Sequence, residues 1–296
     1  VKRFFVLTLM FAALAGVSLA ADAPQAGAPA LWSVTSPTAK VYLFGTIHLM
    51  KPGVVWTTPA IDAALAASDD LWLEVPDNLT DPQAILPQVQ TLGLDPAHPL
   101  STKLSKADLA LLDAKVKSAG LPGEAVFEPF RPWLASLMLT VLQATAKGYS
   151  ANTGIDVTLR QKMQAAGKPI KGFETIDQQL HFFADLPPEQ EIALLHASLA
   201  PDDAARAEPG IDQLESLWQS GNVDQAARME SKIGTKDPTL SAALVTGRNA
   251  AWAKQLDARL HAGGTSFVAV GLMHLAGPGS LIEDLTKLGY TVSRIE

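Results

Sequence analysis

Two copies of one short unit bracket this chain. Gly45-Thr46-Ile47-His48 and Gly271-Leu272-Met273-His274 follow apolar runs of strand character, Val41–Phe44 and Ser266–Val270. Each leads into Leu, a small turn rich in Pro and Gly, and a helix-like segment. A strand that ends in Gly-x-x-His near both ends of a chain narrows the choice of fold, because the two strands must share a sheet for their histidines to face one cleft. In α/β domains ligands gather just beyond the carboxyl ends of strands. Neutral imidazole is the commonest protein metal ligand. Gly45 and Gly271 are expected to supply close backbone approach or positive φ where each strand passes under its turn.

The ends and the composition bound the rest. Lys2 and Arg3 form a basic start, Phe4–Ala15 an apolar stretch, and Ser18-Leu19-Ala20 a small-residue cleavage signal. Residues 1–20 therefore read as a signal peptide cut after Ala20, and the Ala-, Pro- and Gly-rich residues 21–30 as a flexible leader. The remaining residues, 31–296, are expected to form a single domain, periplasmic or secreted, with no stable membrane anchor once the signal is removed. The formal net charge is −7, which argues against nucleic acid as a partner, since phosphates call for a basic footprint. There is no cysteine, so disulfides, a thiol nucleophile and a Cys-based metal cluster are excluded.

Patterning gives an α/β chain. Leu31–Val34 and Val41–Phe44 form an opening hairpin, Thr58-Pro59 caps a helix through Ala66, and Leu71–Val75 is a core strand. Helices are expected from Ser105 to Gly120 and over Arg131–Lys147, Thr153–Ala166, Thr175–Ala184, Pro188–Leu199, Ile211–Ser220, Val223–Lys232 and Leu240–Ala262, with a strand at Pro169–Phe173. Strand–helix–strand returns at Phe267–Val270, Ser280–Leu288 and Tyr290–Ile295. The expectation is two βαβ-like halves forming one central sheet, with a large helical insertion between them.

His48 and His274 are the first candidates for chemistry. Glu74 is the next, as the only acid in Leu71–Val75, where a carboxylate is costly unless paired, hydrogen-bonded or metal-bound. Beside His48 it would complete two His and one Glu, a known shell for a hydrolytic metal with an open water position. Two other readings stay open, Glu74 as a general base and Glu74 as an outward-facing strand residue. Arg248 could stabilise an oxyanion or be a surface Arg with a packing partner, and Asn249 follows it on the same helix. Glu174, after a strand, and Asp156, near a helix start, are secondary candidates, Asp156 reading chiefly as a dipole-complementing residue. His98, His181, His196 and His261 have no patterned context. The usual signatures of serine hydrolases, zincins and nucleotide enzymes are missing.

Taken together these pieces resemble the TraB/GumN family: the paired Gly45…His48 and Gly271…His274, Glu74 in Leu-Trp-Leu-Glu-Val, Thr153-Gly154-Ile155-Asp156, Lys171-Gly172-Phe173-Glu174-Thr175 with Gln178-Gln179, and Arg248-Asn249-x-x-Trp252. The likeness runs from about Leu31 to Ile295. It extends to the Tiki proteins, metal-dependent proteases that act on Wnt, and more distantly to erythromycin esterases and haem-binding ChaN-like lipoproteins. The resemblance implies an α/β fold with both histidines at one cleft and, for the Tiki branch, hydrolysis assisted by a divalent ion such as Mn, Co or Zn. Carried over, His48, Glu74 and His274 would form the metal site, with Glu74, Arg248 and Asn249 in catalysis. The expected function is a secreted metal-dependent hydrolase, a Tiki-like peptidase with a metal-activated water at the paired Gly-x-x-His site, acting on a peptide or small-molecule substrate. The alternatives are a metal-independent esterase-like hydrolase, or a haem-, iron- or otherwise ligand-binding protein without catalysis.

Overall fold

The computed structural model describes residues 28–78, 81–199, 211–226, 228 and 238–296. The expected signal peptide, nearly all of the leader, and much of the helix expected over Val223–Lys232 lie outside the described residues. In chain order the strands are β1 (Leu31–Thr35), β2 (Ala39–Thr46), β3 (Asp70–Leu73), β4 (Ile170–Gly172), β5 (Gly264–Gly271) and β6 (Val292–Arg294). The helices used below are α1 (Pro59–Ala67), α2 (Pro82–Gly93), α3 (Lys106–Ser118), α4 (Pro132–Ala146), α5 (Ile155–Ala165), α6 (Ile176–Ala184), α7 (Pro188–Leu199), α8 (Ile211–Gln219), α9 (Gly247–Ala262) and α10 (Leu281–Lys287).

All six strands form one mixed sheet in the order β4-β3-β5-β2-β1-β6. The class is α/β, as the patterning suggests. Within this sheet the strands of the two chain ends interleave: β5 inserts between β2 and β3 and pairs in parallel with both. The physical reason lies in the strands themselves. Val41–Phe44 and Phe267–Val270 are apolar on both faces and fully buried, which suits central parallel strands covered by helices on either side. β1 pairs antiparallel with β2 and with β6, so it alone runs against the others. Phe44, Trp56, Trp218 and Phe267 form an aromatic cluster over this centre, with ring centroids about 6 Å apart, a spacing favourable for π-systems.

Two local features depart from the sequence reading. Pro82–Gly93 is a helix where no element was expected; Asp81 caps it by accepting from the Gln83 N–H, and Pro82 stands in its first turn. The long helix expected over Leu240–Ala262 is continuous but widened at its start: a helical turn at Pro238–Ser241 runs through a π-helical segment, Ala242–Thr246, into α9. Such wide turns recur at functional sites. Here the segment stands immediately before Arg248.

A second layer of helices packs away from the sheet. α4 and α7 lie together around Leu112, Val116, Phe127, Ala135, Leu139, Leu195 and Leu199. Val75, Trp133, Ile176 and Leu180 connect that layer to the end of β3.

Candidate functional site

β4, β3, β5 and β2 are parallel neighbours, so four carboxyl ends meet along one edge of the sheet. Each delivers a polar residue: Glu174 after β4, Glu74 after β3, His274 after β5 and His48 after β2. In-register pairing sets Thr46 opposite Gly271, and the ladder continues past β3 and β4 through Glu174 N–H donating to Glu74 O at 2.9 Å. The N-terminal turn of α9 closes the edge with Arg248, Asn249 and Trp252.

The glycines of both Gly-x-x-His units are needed for close approach; neither has positive φ. A Cβ on Gly45 would lie 2.7 Å from Leu272 Cδ1. A Cβ on Gly271 would meet Glu74 Oε1 at 3.1 Å, His48 Nε2 at 3.5 Å and His274 Cδ2 at 3.6 Å. Both imidazoles and the carboxylate thus converge on the small space above Gly271.

His274 is buried and its tautomer can be read from its neighbours. Asn249 is fully buried; its Nδ2 donates to Gly279 O at 2.7 Å, which turns its Oδ1 toward His274 Nδ1, also at 2.7 Å. Nδ1 therefore carries the proton, and Nε2 presents a lone pair. Burial, helped by Arg248 and His48 and opposed by Glu74, lowers the pKa of His274 to about 4, so the ring is neutral at neutral pH.

Arg248 is the hub of the charge. Its Nε and one NH2 hydrogen go to the two oxygens of Glu174, both at 2.8 Å, and NH2 also donates to Glu74 Oε2 at 2.5 Å. NH1 donates to Leu244 O at 3.0 Å and faces His274 Nε2 at 3.3 Å. A guanidinium has five N–H groups, and these five contacts use all of them. Its faces lie on Trp252 and Phe182, 4.7 and 5.2 Å from the ring centroids. Trp252 Nε1 also donates to Glu174 Oε1 at 2.8 Å. Burial works against charge on Glu74, but His274, Arg248, His48 and the Gly271 N–H outweigh it and lower its pKa to about 2. With His274 neutral, Arg248 is the fixed cation that holds Glu74 ionised. Burial raises the pKa of Glu174, although Arg248 and Trp252 oppose this.

His48 sits differently, on the open side of the site, with its side chain 63% exposed. Its Nδ1 lies 2.7 Å from Asp156 Oδ2, while Asp156 Oδ1 accepts from the Thr46 hydroxyl at 2.7 Å. Asp156 stands in the first turn of α5, where a carboxylate suits the helix dipole; its second role, gripping His48, comes from tertiary contact. That contact is built by Gly154, whose Cβ would lie 2.3 Å from His48 O, and by Ile155 N–H donating to Ile47 O at 3.1 Å.

The sequence candidates thus fall into two connected groups: Glu74, Glu174, Arg248, Asn249 and His274 in one, His48 and Asp156 in the other, meeting at Gly271. Two further residues were not anticipated in a role. Gln179 Nε2 donates to Glu74 Oε2 at 3.0 Å, and Thr46 holds Asp156. The signal for Thr46 is its place in the first Gly-x-x-His unit. Gln179 stands in a quoted motif, but its reach to Glu74 depends on how α6 packs.

Two imidazole nitrogens and a carboxylate are donors that suit a divalent ion. Their present arrangement does not fit one. The Arg248 guanidinium already engages Glu74 Oε2 and faces His274 Nε2, so a second cation would compete with a fixed one for both groups. Among the described residues no group of three or more His, Asp or Glu side chains is placed to hold a metal ion.

Comparison with known proteins agrees with the motif reading. The TraB/PrgY/gumN family model matches residues 30–294. The chain is 27% identical over 242 residues to a protein of Escherichia coli (strain K12) named "Uncharacterized protein YbaP", covering 81% of this chain and 85% of that protein. A Shigella flexneri protein of the same name matches with the same identity and coverage. No solved structure matches.

Proposed function

The chain belongs to the TraB/PrgY/gumN family, and on that premise we propose that the cleft hydrolyses an ester or amide bond, with His48 as general base. The observation that carries the reading is the Asp156–His48 pair aimed at Gly271. With Nδ1–H donated to Asp156, the basic nitrogen of His48 is Nε2, the atom beside Gly271. A water between His48 Nε2 and the scissile carbonyl gives its proton to Nε2 as its oxygen bonds to carbon. The imidazolium then returns that proton to the leaving oxygen or nitrogen as the old bond breaks. Asp156 fixes the ring and stabilises the transient cation, as an orienting carboxylate does in hydrolytic triads.

Arg248 supports this chemistry through its charge, since its N–H groups are engaged, and it keeps Glu74 ionised beside the reacting centre. Asn249 holds His274 in its Nδ1–H form. Together these groups form a preorganised polar wall, which acts most strongly where water is excluded. The substrate would be a peptide or a small ester or amide. The secreted or periplasmic location remains part of the same proposal, carried by residues 1–20.

A second reading, hydrolysis assisted by a divalent ion, has one observation in its favour: His48, Glu74 and His274 converge on Gly271. It requires Arg248 to move off Glu74 and His274.

Kinetics separate a catalytic from a structural role for the pair. His48→Ala is expected to lower kcat by about 10²–10⁴-fold, the usual worth of a positioned acid–base. Asp156→Asn should give a smaller loss in kcat with KM little changed. Equal turnover in wild type and His48→Ala would overturn the proposal.

A further inference from the structure

Beside the Arg248–Glu174 pair lies a cleft of about 610 Å³, within the range of small-molecule sites. α6 and the start of α7 form one wall, and the π-helical segment with α9 forms the other. We infer that this cleft is the specificity pocket of the same site and that it takes an uncharged apolar group, such as a Leu- or Phe-type side chain of a peptide. The inference rests on the hydrolytic reading for its place in catalysis, but its chemistry is argued independently.

Three observations set the ligand class. The floor is apolar and rigid: Phe173 and Trp252 stack at 5.1 Å and 21°, with Phe182 and Leu186 beside them. The facing wall is made of small residues, Ala242, Ala243, Gly247 and Ala251. The wide π-helical turn presents Ala242 and Ala243 there, and any larger side chain at those places would fill the space.

The charge is already spent. Arg248 gives all five N–H groups to protein acceptors, and both oxygens of Glu174 accept from it. His181 and Asp185, which also line the cleft, engage each other at 3.1 Å, so an ionised ligand would find each charge there already partnered, and burying it would be costly.

Position ties the pocket to the chemistry. Trp252, part of its floor, also packs on His274 at 4.4 Å between ring centroids, and Arg248 touches both the cleft and Glu74.

The test is direct binding, followed by turnover. N-acetyl-L-phenylalaninamide and its charged counterpart N-acetyl-L-phenylalanine are titrated by calorimetry into wild type, His48→Ala and Ala243→Trp, with circular dichroism to check folding. The neutral amide is expected to bind wild type and His48→Ala equally, and to bind at least about tenfold more tightly than the carboxylate, a difference of about 1.4 kcal/mol. Folded Ala243→Trp should lose that binding. Unchanged binding in Ala243→Trp, equal affinity for the two probes, or no binding by wild type would overturn the inference. Binding without any hydrolysis of the corresponding amide or ester would support the pocket and count against the hydrolytic reading alone. Hydrolysis of a Phe-type ester with KM unaffected by Ala243→Trp would sink the pocket alone.

Discussion

At the scale of single residues, Arg248 has the heaviest structural duty and His48 the most exposed chemical one. Arg248 neutralises two buried carboxylates at once, so truncating it leaves Glu74 and Glu174 facing each other without a counter-ion. Arg248→Met is expected to cost about 3–5 kcal/mol in urea denaturation at pH 7, the usual penalty for orphaning a buried charge. Adding Glu174→Gln should restore part of that loss; a double variant no more stable than the single one would contradict the pairing. Much of this site was legible in the sequence as a set of residues, because Glu74 interrupts an apolar strand and both histidines follow a repeated unit. Their partnerships were not legible. Asp156 and His48 are 108 positions apart, and an Asp in the first turn of a helix is adequately explained by the helix dipole. Only the packing of α5 against the first Gly-x-x-His loop reveals that it holds an imidazole.

Among the elements, the start of α5 is the most constrained. Its approach to the His48 loop leaves no room for a side chain at Gly154, and backbone on the opposite side cannot yield as a flexible side chain would. Gly154→Ala should therefore destabilise the fold by about 1–3 kcal/mol and displace His48, lowering kcat more than the stability loss explains. Wild-type kcat in folded Gly154→Ala would show that this contact does not position the imidazole. The strands were readable because central parallel strands carry continuous apolar runs, and most helices because their caps are explicit. The interleaving of β5 between β2 and β3 was not readable, since local pattern does not reveal which strand pairs with which. The helix Pro82–Gly93 escaped for a different reason: Pro87 within it breaks the usual pattern.

For the whole molecule, burial of the site makes stability depend on acid. The His274 pKa falls from 6.5 to about 4 in the folded state, so the unfolded chain binds the extra proton first and stability drops as pH falls from 6.5 toward 4. The Glu74 pKa falls from 4.5 to about 2, which extends the loss from pH 4.5 toward 2. The wild-type Tm is expected to decline from pH 6.5 downward, and His274→Asn should flatten the upper part of that decline. An unchanged slope in the variant would mean that His274 does not carry it. The parallel sheet is what joins these effects, because it gathers four strand ends and α9 at one edge, where each charge acts on the others.

The central claim is that His48, held by Asp156, activates water at this edge without a metal ion. The most direct measurement is hydrolysis of a neutral N-acyl-phenylalanine p-nitrophenyl ester by exhaustively chelated protein, run beside His48→Ala and with Mn, Co or Zn added back. The account predicts turnover that survives chelation, is lost in His48→Ala and is not restored by any ion. Turnover that disappears on chelation and returns with a divalent ion would contradict it, and would give the site to the metal.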